Sequence, residues 1–179
     1  MATEKQLLRG ARKYNQEALT EIYDHYSPAL YRYAVRLLGD KDHAEECVAE
    51  TFSRFLLVLK NGGGPRAHLQ AYLYRIAHNW ITDYFRNKNS GPLELDEEIN
   101  SETATNPKTR SSDVYLKRQI RSALMQLTPE QRQVIVLKYL EGLSNAEVAR
   151  VLKKSVGATK SLQHRGLTTL NTLLKDLYE

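Results

Sequence analysis

Residues 87–112 cannot join a folded core, and that constrains how the rest of the chain must fold. The stretch is rich in Asn, Ser and Thr around Gly91, Pro92 and Pro107, with five acidic residues between Glu94 and Glu102. It shows no sustained apolar period, so it cannot bury enough surface to offset its ordering entropy. The 179-residue chain is therefore expected to form two small blocks around a polar linker, with boundaries at 1–88, 89–112 and 113–179. Both flanks read as helical, without strand-like alternation bounded by hairpin signals and without an internal repeat. The expected fold class is all-α, two small helical domains on a flexible linker, the C-terminal one a helix-turn-helix.

Charge separates the blocks further. Residues 1–86 carry 12 basic and 10 acidic side chains, residues 87–112 carry 3 and 5, and residues 113–179 carry 11 and 6. The blocks are thus +2, −2 and +5, which sum to the formal net charge of +5. Arg150, Lys153, Lys154, Lys160 and Arg165 follow one another with no acid between them. Such a field attracts polyanions, nucleic acid above all, although on charge alone it reads equally as a solvated helix face. No apolar run approaches the length of a membrane span, so no membrane insertion is expected. Charged Glu4, Lys5 and Arg9 stand where a signal peptide would be apolar, and Cys47 is the single cysteine. A cytoplasmic protein is the expectation.

In the first block four helices are expected. Ser27-Pro28 fits an N-cap followed by proline at the first helical position. After Gly39, the residues Ala44, Val48, Phe52, Phe55 and Leu59 recur at helical spacing and predict a core face. The opposite face collects Asp42, Glu45, Glu46 and Glu50. A break at Asn61, Gly62, Gly63, Gly64 and Pro65 ends that helix. The next one is expected to bury Leu69, Leu73, Ile76 and Trp80, leaving Tyr72, Arg75, Asn79, Asp83 and Arg86 on another stripe.

In the second block Thr128-Pro129-Glu130-Gln131 is a capping box with proline at the first helical position. Gly142 is a C-terminal stop. Ser144-Asn145-Ala146-Glu147 opens a short helix to about Lys153. A tight turn at Lys154-Ser155 follows, and Ser155 caps a long final helix. Two helices joined so closely, the second basic, form the pattern of a helix-turn-helix, and with the charge bias they favour DNA binding.

Enzymatic readings find little. His43 and Cys47 lie at i, i+4, but two ligands do not close a zinc site, and His25, His68, His78 and His164 form no ligand spacing. Gly62-Gly63-Gly64 lacks the Lys-Ser/Thr of a phosphate-binding loop, and no nucleophile elbow is present. No catalytic residue, metal or cofactor is expected, and the chain is read as no enzyme.

The motifs form a familiar set. Glu17 to Tyr23, Tyr33-Ala34, Ala44-Glu45-Glu46, Glu50-Thr51-Phe52 and Tyr72 to Asn79 together resemble the core domain of bacterial sigma factors. Leu127 to Arg132, Gly142-Leu143-Ser144, Glu147-Val148-Ala149, Val156-Gly157 and Lys160-Ser161 resemble that family's C-terminal domain. The chain resembles the extracytoplasmic-function group, which has only these two domains. The resemblance implies a transcription initiation factor that binds core RNA polymerase, recognises minus-ten and minus-thirty-five promoter elements and promotes melting. It implies contacts to the beta-prime coiled coil from Asp42, Glu45, Glu46 and Glu50, and to the beta flap from the C-terminal domain. It places minus-ten contacts on Asn61, Gly62, Gly63, Arg66, His68, Tyr72, Arg75, Asn79 and Arg86. Minus-thirty-five contacts fall on Lys154, Ser155, Gly157, Lys160, Ser161, His164 and Arg165. Promoter DNA and an anti-sigma protein are the further partners implied, and the acidic linker would thread through the polymerase.

Leu162-Gln163 departs from the family's basic-then-apolar pair. Spacing alone puts Val156, Thr159, Gln163, Leu167, Leu170 and Leu174 in the core. Either Gln163 is buried, or the helix rotates to bury Leu162, or an exposed Leu162 touches a thymine methyl. The alternative function is a stand-alone helix-turn-helix regulator, and a third is a module whose basic helix binds an acidic protein.

Overall fold

The structure is a computed structural model and describes residues 3–87 and 110–175. Among these residues every regular element is helical: α1 Glu4–Arg12, α2 Gln16–Leu38, α3 Lys41–Lys60, α4 Leu69–Asn87, α5 Arg110–Met125, α6 Pro129–Ile135, α7 Asn145–Leu152 and α8 Val156–Leu174. A single π turn, Val136–Leu140, continues α6. The chain divides into two compact units, one holding α1–α4 and one holding α5, α6 and α8 with the start of α7. The expected linker 89–112 lies outside the described residues, except for Arg110, Ser111 and Ser112, which open α5.

In the first unit α3 packs along both α2 and α4, while α1 lies on α2. The predicted face Ala44, Val48, Phe52, Phe55 and Leu59 is buried, joined by Cys47 and Thr51. Thr51 bonds back to the Cys47 carbonyl at 2.7 Å, which satisfies its buried hydroxyl inside the helix. Gly39, at φ 72°, ends α2, and its N–H reaches the Val35 carbonyl. Gly10 lets α1 approach α2, since a Cβ there would stand 2.6 Å from that of Ala18.

Two expectations for this unit are corrected. Ser27-Pro28 opens no helix: Pro28 lies inside the 23-residue α2, whose N-cap is Asn15. Pro28 and Asp24 are both exposed, so the bond lost to the missing N–H falls on the water side. Burial of Ile22, Leu30, Tyr33, Ala34, Leu37 and Leu38 carries the helix through. In α4 the buried stripe runs Leu69, Leu73, Ala77 and Ile81 with Ala71 and Tyr74, leaving Ile76 and Trp80 only half-buried. Small Ala77 is what α3 approaches, with Cys47 Sγ 3.8 Å from its carbonyl oxygen, and this turns the stripe by one residue. Trp80 instead stacks on Tyr84, centroids 5.6 Å apart and planes at 15°.

In the second unit the caps stand as read. The Thr128–Gln131 box closes reciprocally at the start of α6. The Ser144–Glu147 box does so before α7. Gly142 adopts φ 73° after the π turn, and the next N–H, of Leu143, returns to the Leu137 carbonyl. Arg132 joins α5 to α6: its Nε donates to the Leu124 carbonyl, and its Nη2 to those of Met125 and Leu127. These carbonyls end α5 and the turn after it, where a helix has no partners of its own.

The structure makes two stability predictions. Burial pushes His78, beside the Tyr33 hydroxyl at 3.1 Å, down to about 4. The unfolded chain therefore takes up a proton there first, and stability is lost as pH falls from about 6.5 towards 4. Urea midpoints read from Trp80, the single tryptophan and a residue of the first unit, should fall across that window and flatten in His78→Gln. Arg132→Ala should destabilise the second unit by about 2–3 kcal/mol, the size of a lost charge-assisted bond, measured by amide exchange in α5 and α6.

Candidate nucleic-acid and polymerase interface

The core stripe of α3 sets its rotation, and the rotation decides which acids reach water. Asp42, Glu45 and Glu46 are exposed on the first turns, facing away from α2 and α4. Glu50 is half-buried and paired with Arg54 at 2.7 Å, so it is tied in a way its neighbours are not. Asp40 is engaged as the N-cap, accepting the His43 N–H at 2.7 Å with His43 Nδ1 2.8 Å away. The backbone bond from His43 holds its carboxyl below the usual range. What remains is a small negative patch suited to a basic partner, where complementary charge steers docking.

At the other end of α3 the glycine-rich segment is held by its backbone rather than slack. The Gly62 and Gly63 N–H groups return to the carbonyls of Leu59 and Val58. Gly62 and Gly64 sit at φ 74° and 100°, open to glycine and strained for other residues. Pro65 is buried, while Asn61, Gly62, Gly63, Arg66 and His68 are exposed. The loop thus presents backbone and polar side chains outward from a fixed path. Beyond it, Tyr72, Arg75, Asn79 and Arg86 recur at helical spacing on one stripe of α4. Arg75 and Arg86 are exposed, and Tyr72 and Asn79 half-buried. Tyr72 leans on Phe55, centroids 6.2 Å apart, and burial pushes its hydroxyl pKa up. Arg86 pairs with Asp83 at 3.0 Å, an exposed bridge that a phosphate would displace readily.

Two features of this site were not found from sequence. Arg12 of α1 donates from Nη2 to the Pro65 carbonyl at 2.9 Å and to that of Gly64 at 3.4 Å. Glu4, also of α1, accepts the N–H groups of His68 at 2.8 Å and Leu69 at 3.2 Å. Both partners lie more than fifty residues away, and no local pattern marks such a pairing.

At the end of α7 Lys153 takes the left-handed conformation at φ 54°, and the Lys154 N–H closes on the Ala149 carbonyl. This Schellman closure ends α7 and turns the chain within two residues. Ser155 then caps α8 through the Ala158 N–H. Thr159, Leu162 and Gly166 form the buried stripe of α8. Leu162 is therefore core, which settles the rotation and excludes its touching a thymine methyl. Val156 and Leu167, expected inside, are 42% and 39% exposed. The cause is Gly166: without a Cβ it admits Ile135, whose Cγ1 would lie 3.1 Å from one. Gln163 is half-buried at the edge and donates to the Tyr139 hydroxyl at 2.6 Å.

That rotation places Lys160, Ser161, His164 and Arg165 in water, together with Ser155 and Gly157 at the helix start. Lys154 differs, being half-buried and paired with Glu130 at 2.7 Å, an ammonium that holds the Glu130 carboxyl below its usual range. A basic helix face with exposed amides at its N-terminus is equipped to meet phosphate and base edges.

Residues 22–91 match the Sigma-70 region 2 family and residues 117–170 match Sigma-70, region 4. Over 184 residues the chain is 30% identical to the ECF RNA polymerase sigma factor SigW of Bacillus subtilis, covering 97% of each. This chain belongs to the ECF RNA polymerase sigma factors. It is also 34% identical to the ECF sigma factor BldN of Streptomyces coelicolor, over 96% of this chain and 66% of BldN, just under two thirds of that protein. Among solved structures it is similar to CnrH in complex with the cytosolic domain of CnrY, with a TM-score of 0.73, 25% identity and 97% of both chains covered. It is likewise similar to RpoE in complex with the anti-sigma factor NepR from Bartonella quintana, with a TM-score of 0.64, 25% identity, and 92% and 98% covered. In this sigma factor the acidic α3 face and the glycine loop fall within region 2, and the helix-turn-helix within region 4. Helix α1 precedes the region 2 match.

Among the described residues no three His, Cys, Asp or Glu side chains gather as a metal site needs, and no helix is long and apolar enough to cross a membrane. His43 is engaged with Asp40, and Cys47 is fully buried. Burial pushes the Cys47 thiol up to about 12, and the thiolate is the reactive form. The native protein should therefore resist a thiol reagent such as dithiobis-nitrobenzoate at pH 8 and react with one equivalent only after denaturation.

Proposed function

We propose that this sigma factor binds core RNA polymerase and directs it to promoters bearing minus-ten and minus-thirty-five elements. The observation that carries the reading is the presence of region 2 and region 4 in order on one chain, at 22–91 and 117–170. The first domain, 1–88, meets polymerase through Asp42, Glu45 and Glu46, with Glu50 contributing through its pair with Arg54. Its loop, at Asn61, Gly62, Gly63, Arg66 and His68, captures a base flipped from the non-template strand. Tyr72, Arg75, Asn79 and Arg86 track that strand by stacking and phosphate contacts. Captured bases offset the unstacking cost, which is how binding promotes melting without catalysis. The chain acts as an initiation factor and not as an enzyme.

The second domain, 113–179, sets α8 in the major groove of the upstream element. Ser155 and Gly157 face phosphate, and Lys160, Ser161, His164 and Arg165 face phosphates and base edges. Lys154 acts through its link to Glu130, steadying the turn, and meets phosphate only when that bridge opens. The acidic segment 89–112 threads the basic channel of the polymerase between the two elements. A beta-flap contact from the second domain and an anti-sigma partner complete the set, the latter supported by the partnered state of CnrH and RpoE. The site of action is the cytoplasm, where polymerase and promoters are.

Run-off transcription with purified core polymerase on a pool of random promoters tests the reading. Protein-dependent transcripts sharing two spaced motifs are expected; no transcripts, with tight duplex binding by the protein alone, would point to a stand-alone regulator. Arg165→Ala should weaken upstream-element binding by about 1–3 kcal/mol if it reads a base. If it meets phosphate instead, the slope of log K against log salt should drop by about 0.9. Glu45→Lys with Glu46→Lys should slow association with core polymerase, and added salt should shrink the difference.

A further inference from the structure

The loop between α3 and α4 poses a problem of entropy. Its three consecutive glycines have the largest backbone freedom of any residue, yet a pocket that captures one base selectively must exist before the base arrives. Bonds from Gly62 and Gly63 to Leu59 and Val58 order only the half nearest α3. The half nearest α4 contains His68 in the left-handed conformation at φ 57°, which carries a strain cost for a residue with a Cβ.

Helix α1 supplies that restraint from outside the loop. The Arg12 guanidinium takes the Gly64 and Pro65 carbonyls, and the Glu4 carboxylate takes the His68 and Leu69 N–H groups. Leu69 is the first residue of α4, so Glu4 also serves as a cap in trans, with its negative charge at the positive helix end. Both contacts are charge-assisted bonds to backbone. Between them they fix the peptide path on either side of Arg66 and Ala67. The helix is itself anchored: Leu7, Leu8 and Ala11 are buried, and the Tyr14 hydroxyl just beyond it donates to the Leu56 carbonyl in α3 at 2.6 Å. Neither Glu4 nor Arg12 lies within the matched region 2.

We propose that Glu4 and Arg12 are positioning residues for minus-ten base selection, holding the loop in the one conformation that discriminates between bases. They touch no DNA in this scheme and act through the loop backbone. The inference rests on the reading of the loop as the minus-ten reader.

The test is run-off transcription by full-length protein and core polymerase, on promoters with a fixed upstream element and a randomised minus-ten element. Glu4→Ala and Arg12→Ala should each cut discrimination at the minus-ten bases about five- to tenfold, while preference in a library randomised at minus-thirty-five is unchanged. Glu4→Gln keeps one acceptor and should fall between wild type and Glu4→Ala. Lys5→Ala, an exposed change on the same helix, should match wild type. Amide exchange at His68 and Leu69 should accelerate in both Glu4 variants, which reports on the brace even if Arg12→Ala folds poorly. A uniform loss on all promoters with base preferences intact, or faster exchange without any change in preference, would overturn the proposal. Transcripts that core polymerase makes equally well with and without the wild-type protein would overturn the sigma reading, and this inference with it.

Discussion

The buried stripe of α3 is the constraint on which the first unit depends. Ala44, Cys47, Val48, Thr51, Phe52, Phe55 and Leu59 are packed between α2 and α4, and a helix buried on one stripe has no freedom to rotate. The acids at its start must then face water, and its end must deliver the chain into the glycine loop at one place. Two surface features some twenty residues apart in sequence are thus tied to one packing event. The acidic patch and the glycine loop are opposite ends of a rigid rod, about 30 Å for a helix of this length.

The second unit solves the same problem with less apolar material. α8 is oriented by a glycine: Gly166 lets Ile135 of α6 come close, and Leu162 and Thr159 follow it inward. The polar and basic residues between those positions are left outside. Gln163, which departs from the family pattern, is accommodated at the margin by Tyr139 on the π turn. A π turn adds a residue to the helical circuit, and it falls where α6 has to present both Val136 and Leu137 to the core.

Much of this was legible from local chemistry. The capping boxes at Thr128 and Ser144, the stop at Gly142 and the predicted face of α3 all follow from residues within one or two turns of each other. The family resemblance named Lys160, Ser161, His164 and Arg165 of α8, and the rotation set by its buried stripe leaves all four exposed. The misread elements share a different character. Ser27-Pro28 has the form of a helix start, but the packing of the surrounding turns overrode the missing bond. Trp80 looked like core by size and spacing, yet the approach of α3 at Ala77 turned α4 and left the indole stacked on Tyr84. In α8 the apolar period counted Val156 and Leu167 as inside because a glycine carries no hydrophobic signal.

The sequence by itself determined the helical fold class, the caps of the second block and the division into two blocks. These depend on backbone preferences and side-chain spacing over a few residues, and such information is written locally. Only the tertiary structure decided how far each helix rotates and what holds the glycine loop. Those outcomes rest on contacts such as Gly166 with Ile135, and Glu4 and Arg12 with a loop more than fifty residues away. Their physical basis is steric fit and long-range hydrogen bonding, which exist only once both partners are in place.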